Sequence, residues 1–185
     1  MNEVLWHGIP DNRPLREGDY VNIDVTWYLD GYHGDNSAMV MVGDVHPDIK
    51  NLITVTREAM YKAIEIWKPG VSYNQIGIEI QKYASKHGYF VCPFFTGHGI
   101  GRELHSGPFV YHVPDKVHDI MEVGNVFTIE PIIMMYDSSS MVYEWNDGWT
   151  VIAHNTPSAQ WEHMVAIHDD GPEILTLRED EESLI

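Results

Sequence analysis

Residues 19–27 alternate in polarity. Val21, Ile23 and Val25 are apolar, while Asn22, Asp24 and Thr26 are polar, which is the period of a half-buried strand. Asp30-Gly31 follows, a dipeptide that tolerates both left-handed positions of a type I′ turn, so residues 32–42 are expected to return as a partner strand. The period then lengthens. Over residues 48–67, Leu52, Ile53, Ala59, Met60, Ala63, Ile64 and Trp67 share one broad helical face, and Pro69-Gly70 stops the helix. Ser72 and Gln75 read as a capping box for a second helix, which Gly88 closes after His87. Residues 125–134, 149–153 and 160–167 read as strands. Hairpin, two helices, then further antiparallel strands predict an α+β fold with helices on one face of a sheet.

Composition fits this picture and charge narrows it. A chain of 185 residues, 44% hydrophobic and 21% charged, suits one domain with a packed core. Lys+Arg number 11 against 28 Asp+Glu, a formal net charge of −17. Such a surface repels phosphate backbones and anionic lipid, so neither nucleic acid nor a membrane is an expected partner. Cys92 is the single cysteine, which excludes an intrachain disulfide and suits a reducing compartment. No apolar run is long enough to span a bilayer and no basic-then-apolar leader is present, so a cytoplasmic location is expected. Residues 178–182 form an acidic run expected to be a solvated tail.

Four places carry chemistry. With Asp30-Gly31 at the turn, Asp24 pairs with Ser37 and Thr26 with Asp35. Asp24 and Asp35 then lie diagonally on one face, roughly 7–8 Å apart at the backbone. Two carboxylates so placed are unfavourable unless a cation or proton lies between them; a solvated outer face is the alternative. His98 is flanked by glycines in Thr96-Gly97-His98-Gly99-Ile100-Gly101, where the backbone can approach a ligand or turn sharply. The segment lacks the P-loop's closing Lys-Ser/Thr, so phosphate is discounted. Glu130 and Glu162 each sit in an otherwise apolar strand, and Pro131 points to a bulge or edge. A buried salt bridge would explain either glutamate, but no lysine or arginine lies near them in sequence. Four carboxylates and one imidazole suit hard or borderline divalent ions, and their charge of −4 is balanced by two such ions.

The segments Glu3 through Pro10, Asn22-Ile23-Asp24-Val25-Thr26, His33-Gly34-Asp35, Gly97 through Gly101, Thr128-Ile129-Glu130-Pro131, Asp147-Gly148-Trp149-Thr150 and Gln160-Trp161-Glu162-His163 occur in an order that resembles type I methionine aminopeptidases. The short gap from His98 to Glu130 resembles type I rather than type II enzymes. The resemblance implies the pita-bread fold, a pseudo-twofold antiparallel sheet with helices behind. It implies removal of the N-terminal methionine from nascent proteins and peptides with a small second residue, by a metal-bridging hydroxide. Asp24 would chelate one ion, Asp35 and Glu162 would bridge two, and His98 and Glu130 would complete the second site. The ions would be manganese, cobalt, iron or zinc. Glu130 would shuttle protons, His105 would stabilise the tetrahedral intermediate, and His7 would contact the peptide beyond the cleaved bond. Trp149 and Leu104 would wall the methionine pocket.

The sequence departs from the family pattern in four respects. The family's first helical pair is expected to be lacking, which leaves a sheet face for a partner or a second copy to cover. Trp6 stands where a cysteine is common, Leu104 where an aromatic is common, and Ser106-Gly107 where acidic residues are usual. Two other readings follow: a truncated, non-catalytic metal-binding module, and a proline-directed peptidase of the same fold. The His-Gly-Ile-Pro segment makes the second less favoured.

Overall fold

In a computed structural model the described residues are 4–116, 118–179 and 181. Thirteen strands and two α-helices follow one another as β1 (Val4–Trp6), β2 (Tyr20–Leu29), β3 (Tyr32–Met41), α1 (Pro47–Glu65), α2 (Asn74–Lys86), β4 (Phe90–Val91), β5 (Thr96–Gly99), β6 (Ser106–Tyr111), β7 (Val126–Ile129), β8 (Ile132–Met134), β9 (Val142–Glu144), β10 (Val151–Ala153), β11 (Ser158–Gln160), β12 (His163–His168) and β13 (Gly171–Ile174). They form a five-stranded sheet ordered β13-β12-β7-β5-β6, the three-stranded sheets β11-β8-β4 and β1-β10-β9, and the hairpin β2-β3. The expected α+β architecture is present, with all described strand pairs antiparallel.

The hairpin has the expected register: Asp24 faces Ser37, Thr26 faces Asp35 and Leu29 faces Tyr32. Asp30 (φ 50°) and Gly31 (φ 89°) supply the two left-handed residues of the type I′ turn. On its outer face Ile23, Val25, Trp27 and Leu29 remain exposed, Trp27 and Leu29 by 72% and 73%. Helix α1 starts on Pro47, with His46 Nδ1 accepting the Asp48 N–H at 3.2 Å. The expected capping box at Ser72 is corrected. Helix α2 begins after Tyr73, so Gln75 is its second residue rather than its third, and Ser72 Oγ accepts the Asn74 N–H instead. At the other end the Tyr89 and Gly88 N–H groups return to the Ala84 and Ser85 carbonyls, and Gly88 takes φ 80°.

The two strands expected over residues 125–134 and 160–167 are each broken, and broken opposite one another. Ile129 pairs with His163 in the five-stranded sheet, while Ile132 pairs with Gln160 in the three-stranded one. The ribbon passes from one sheet to the other at Glu130-Pro131 and Trp161-Glu162. Pro131 has no N–H for a continuous ladder, so the break falls where the proline permits it. The strand expected from Trp149 starts at Val151, because Asp147 Oδ1 accepts the N–H groups of Trp149 and Thr150. Helices α1 and α2 bury Leu52, Met60, Ile64, Ile76 and Ile80 against Phe127, Ile129, Ile133 and Val165, with Trp67 stacked on Phe127 at 3.8 Å. A smaller core gathers Leu5, Cys92, Ile132, Met134 and Val151.

Candidate metal centre

The crossing point places Glu130 and Glu162 side by side, 4% and 2% exposed. The hairpin docks onto it through the Glu162 N–H, which donates to the Ser37 carbonyl at 3.2 Å, and through Asn22 Nδ2, which donates to the Gln160 carbonyl at 3.0 Å. The Asp35 N–H points to Met164 Sδ at 3.1 Å. Asp35 and Asp24 are thereby carried to Glu162, and Asp24 is its side-chain hydrogen-bond partner. Strand β5 brings His98 in from the other side, with Nε2 3.8 Å from Asp35 Oδ2 and 3.5 Å from Glu130 Oε1. One ligand atom from each of Asp35, His98 and Glu162 lies within 4.8 Å of the others. The five residues singled out in the sequence therefore meet at one place, with Asp24 on its solvent-exposed side.

The glycines around His98 admit close approach of neighbouring backbone. A Cβ on Gly97 would lie 2.2 Å from the Thr128 carbonyl oxygen, and one on Gly99 the same distance from that of Gly107. They let the neighbouring backbones close in, and this seats β5 deeply enough for His98 to reach Glu130.

Burial first, and the neighbouring carboxylates second, hold Glu130 and Glu162 well above the usual carboxylate range. Burial and then Asp35 raise Asp24 to about 6, and burial raises Asp35. Among the described residues, no lysine or arginine is among the groups acting on Asp35, Glu130 or Glu162; the basic side chains near Asp35 are the His98 and His105 rings. A buried salt bridge is thus not the explanation for either glutamate. Burial lowers the pKa of His98, which keeps the ring neutral. Its Nδ1 lies 3.2 Å from the Gly99 carbonyl, so as donor it leaves the Nε2 lone pair aimed at the carboxylates. Oxygen donors plus one neutral imidazole, with uncompensated negative charge, are the donor set a divalent ion requires.

These shifts make a signed prediction. Asp24 is raised from 3.8 to about 6 in the folded chain. Its contribution therefore favours the fold fully below 3.8 and is lost as pH rises through about 6, with the two glutamates extending the loss upward. The EDTA-treated protein should melt at progressively lower temperature as pH rises across this window, and excess manganese should reverse the trend. Thermal melts with and without EDTA check this; a flat EDTA profile contradicts it.

The remaining singled-out residues line the exposed rim. His7, at φ 54°, stacks on Trp149 with 4.3 Å between centroids, and Trp6 donates to its ring while stacking on Phe95. The His105 ring stands edge-on to His98 at 4.3 Å, and Leu104 is half-buried beside it. His7 is lowered by burial and then by His105. A cavity of about 1250 Å³ lies elsewhere, between α1 and the β12–β13 turn, and none of these residues lines it.

Sequence reasoning missed three supporting groups. Thr128 Oγ1 donates to Glu130 Oε1 at 2.8 Å and accepts the His98 N–H at 3.0 Å, tying two candidate ligands together. Thr26 Oγ1 donates to Asp35 Oδ1 at 2.9 Å. His112 Nε2 accepts the Glu130 N–H at 3.1 Å, and burial brings its pKa down to about 3, so it stays a neutral acceptor. Strand parity was the available signal for Thr128, which lies two residues before Glu130 and so on its face. In the run at 178–182 the expectation of a solvated tail holds at Glu179, which is exposed, and is corrected at Glu181. Glu181 is 1% exposed and paired with His163 and Arg178, because the chain folds back over β12. Glu3, Asp180 and Glu182 lie outside the described residues.

The family model for metallopeptidase family M24 matches residues 1–169. Methionine aminopeptidase 1D, chloroplastic/mitochondrial, of Arabidopsis thaliana is 46% identical over 177 residues, which are 95% of this chain and 50% of that protein. The crystal structure of methionine aminopeptidase from Rickettsia prowazekii superposes with a TM-score of 0.91 at 45% identity, covering 95% of this chain and 71% of that one. Prolidase from Pyrococcus furiosus (TM-score 0.73, 24% identity, 94% and 45% covered) shares the fold alone. The fold is therefore pita-bread, while the chain spans about half the length of the curated relatives it matches. No helix among the described residues is long and apolar enough to cross a membrane. Because the match to the family model leaves little of the sequence outside it, the chain belongs to metallopeptidase family M24, and a divalent metal is its cofactor.

Proposed function

We propose that this chain is a single catalytic domain that removes N-terminal methionine from nascent proteins and peptides with a small second residue. It would use two divalent ions (manganese, cobalt, iron or zinc) held by Asp24, Asp35, His98, Glu130 and Glu162. The observation that carries the reading is the junction of two buried glutamates, two aspartates and a neutral histidine, with no lysine or arginine among the described residues to balance them. The charge of four carboxylates supports two ions, and the oxygen-rich donor set favours these metals. Relatives named methionine aminopeptidase support the substrate. Cys92, buried and unpaired, supports a reducing compartment such as the cytoplasm.

When bound, paired divalent ions make a water nucleophilic at neutral pH and polarise the scissile carbonyl. The chain's own groups do the rest. Glu130, raised by burial, is suited to hold and pass a proton, and Thr128 fixes its carboxylate. His105, at the rim beside His98, would donate to the charge that develops on the carbonyl oxygen. His7, braced on Trp149, would hold the peptide beyond the cleaved bond, while Trp149 and Leu104 border the methionine side chain.

The test is free methionine released from Met-Ala-Ser by the 185-residue chain with manganese or cobalt. Release that EDTA abolishes, with an Xaa-Pro peptide left uncut, is expected. Metal binding without release would refute the proposed activity, and preferential cleavage of Xaa-Pro would refute the methionine substrate.

A further inference from the structure

Strand parity puts the neighbours of an inward-facing ligand on the opposite side of the backbone. Behind Asp35 lies Asn36, and on either side of Glu162 lie Trp161 and His163. Thr176, Arg178 and Glu181 between them touch all three. Thr176 Oγ1 lies 3.0 Å from His163 Nδ1 and accepts the Met164 N–H at 3.0 Å. His163 is fully buried, with Nε2 3.3 Å from Glu181 Oε2 and 3.1 Å from the Tyr61 hydroxyl. Glu181 also pairs with Arg178 Nη2. The other arm of the same guanidinium, Nη1, donates to Asn36 Oδ1 at 3.0 Å, and its Cζ sits 5.2 Å from the Trp161 ring centroid. A single Arg178 fork therefore joins the residue after Asp35 to the residues flanking Glu162, and so links hairpin to crossing.

We propose that Arg178, Glu181 and His163 are positioning residues for the metal centre, fixing the separation of the Asp35 and Glu162 carboxylates from behind. The proposal rests on the reading that these two carboxylates hold metal. The network is built to be rigid. Burial opposes the charge on Glu181, but His163 and Arg178 outweigh it and bring the carboxyl down to about 2. Every member has a partner, and a buried pair that loses one member leaves a charge uncompensated. The planar fork of arginine spans two acceptors at once, which a lysine ammonium on a flexible stem does not reproduce.

Arg178→Lys keeps a cation beside Glu181 while giving up the fork, and Asn36→Ala removes only the hairpin's acceptor. Both, with wild type and Glu162→Ala, are compared for manganese affinity by calorimetry, for the visible spectrum of the cobalt-loaded protein, and for melting temperature in EDTA. The expected result for both variants is manganese binding weakened about 10-fold or more. It is accompanied by an altered cobalt spectrum and a metal-free melting temperature close to wild type. Wild-type affinity and spectrum in both variants, with Glu162→Ala losing metal, overturn the positioning role and leave the metal centre standing. A fall in affinity with an unchanged cobalt spectrum and a matching fall in metal-free melting temperature shows a merely structural role and also overturns it. If Glu162→Ala binds metal like wild type, the metal-centre reading fails and this proposal fails with it. If Arg178→Lys does not fold, Asn36→Ala decides the same question.

Discussion

Replacing Glu162 by glutamine should invert the order of thermal stability between metal-free and metal-loaded protein. In EDTA, wild type carries an ionisable carboxyl that is 2% exposed and faces Glu130, Asp35 and Asp24. Glutamine has nearly the same shape and no charge, so the metal-free variant should melt higher, by a margin that grows as rising pH forces the wild-type carboxyl to ionise. With manganese in excess, wild type gains about 2.7 kcal/mol for each site when free metal is a hundredfold above its dissociation constant. The variant lacks the residue proposed to bridge both ions and should gain much less, so wild type then melts higher. Activity should follow the metal. Losing one of two ions removes several kcal/mol of transition-state stabilisation, and about 4 kcal/mol corresponds to roughly a thousandfold in kcat/KM. Full methionine release from Glu162→Gln, or a variant that melts below wild type under both conditions, would refute the role given to this residue.

Gly97→Ala should be among the most damaging single-methyl additions in the chain. The new Cβ would stand 2.2 Å from the Thr128 carbonyl oxygen and 3.2 Å from its hydroxyl. Neither is the free end of a flexible side chain, so β5 must move away from residue 128. Overpacking of this kind costs about 3 kcal/mol, a melting temperature lower by roughly 6–12 °C for a chain of this size. Metal affinity should fall with it, because the same movement pulls Thr128 from between His98 and Glu130. Gly101→Ala is the control, since nothing lies within 4 Å of its Cβ position. A melting temperature for Gly97→Ala within the error of Gly101→Ala would show that the glycine has another purpose.

Both variants probe features that differ in how far they could be read in advance. The hairpin register was legible to the residue, because Asp30-Gly31 admits a two-residue turn and that turn fixes every pair above it. Helix α1 was legible because seven apolar residues share one face over 20 positions. The break in each glutamate-bearing strand was not. Apolar residues continue on both sides of Glu130 and Glu162, and hydrophobic periodicity does not register a change of sheet; Pro131 was the only local sign. The strands β1, β9 and β11 have three residues each, too few to display alternation. The candidate ligands were recognised from residue type and motif order. The groups that orient them were harder to find because Thr128, His112 and Arg178 act through contacts 18 to 142 residues away in sequence. The acidic run at 178–182 misled because composition alone cannot tell a solvated carboxylate from one paired beneath the surface.

The position of Glu130 and Glu162 where a ribbon changes sheets has a practical consequence for protein engineering. Each is bracketed by ladder pairs, Ile129 with His163 on one side and Ile132 with Gln160 on the other, so neither depends on a loop for its geometry. At the rim, His7 and Trp149 belong instead to the end of β1 and the β9–β10 connection of a different sheet. Libraries that randomise Trp149 and its neighbours can therefore be selected for new N-terminal side chains while the proposed metal ligands stay constant, so that selectivity and metal chemistry would be open to separate redesign.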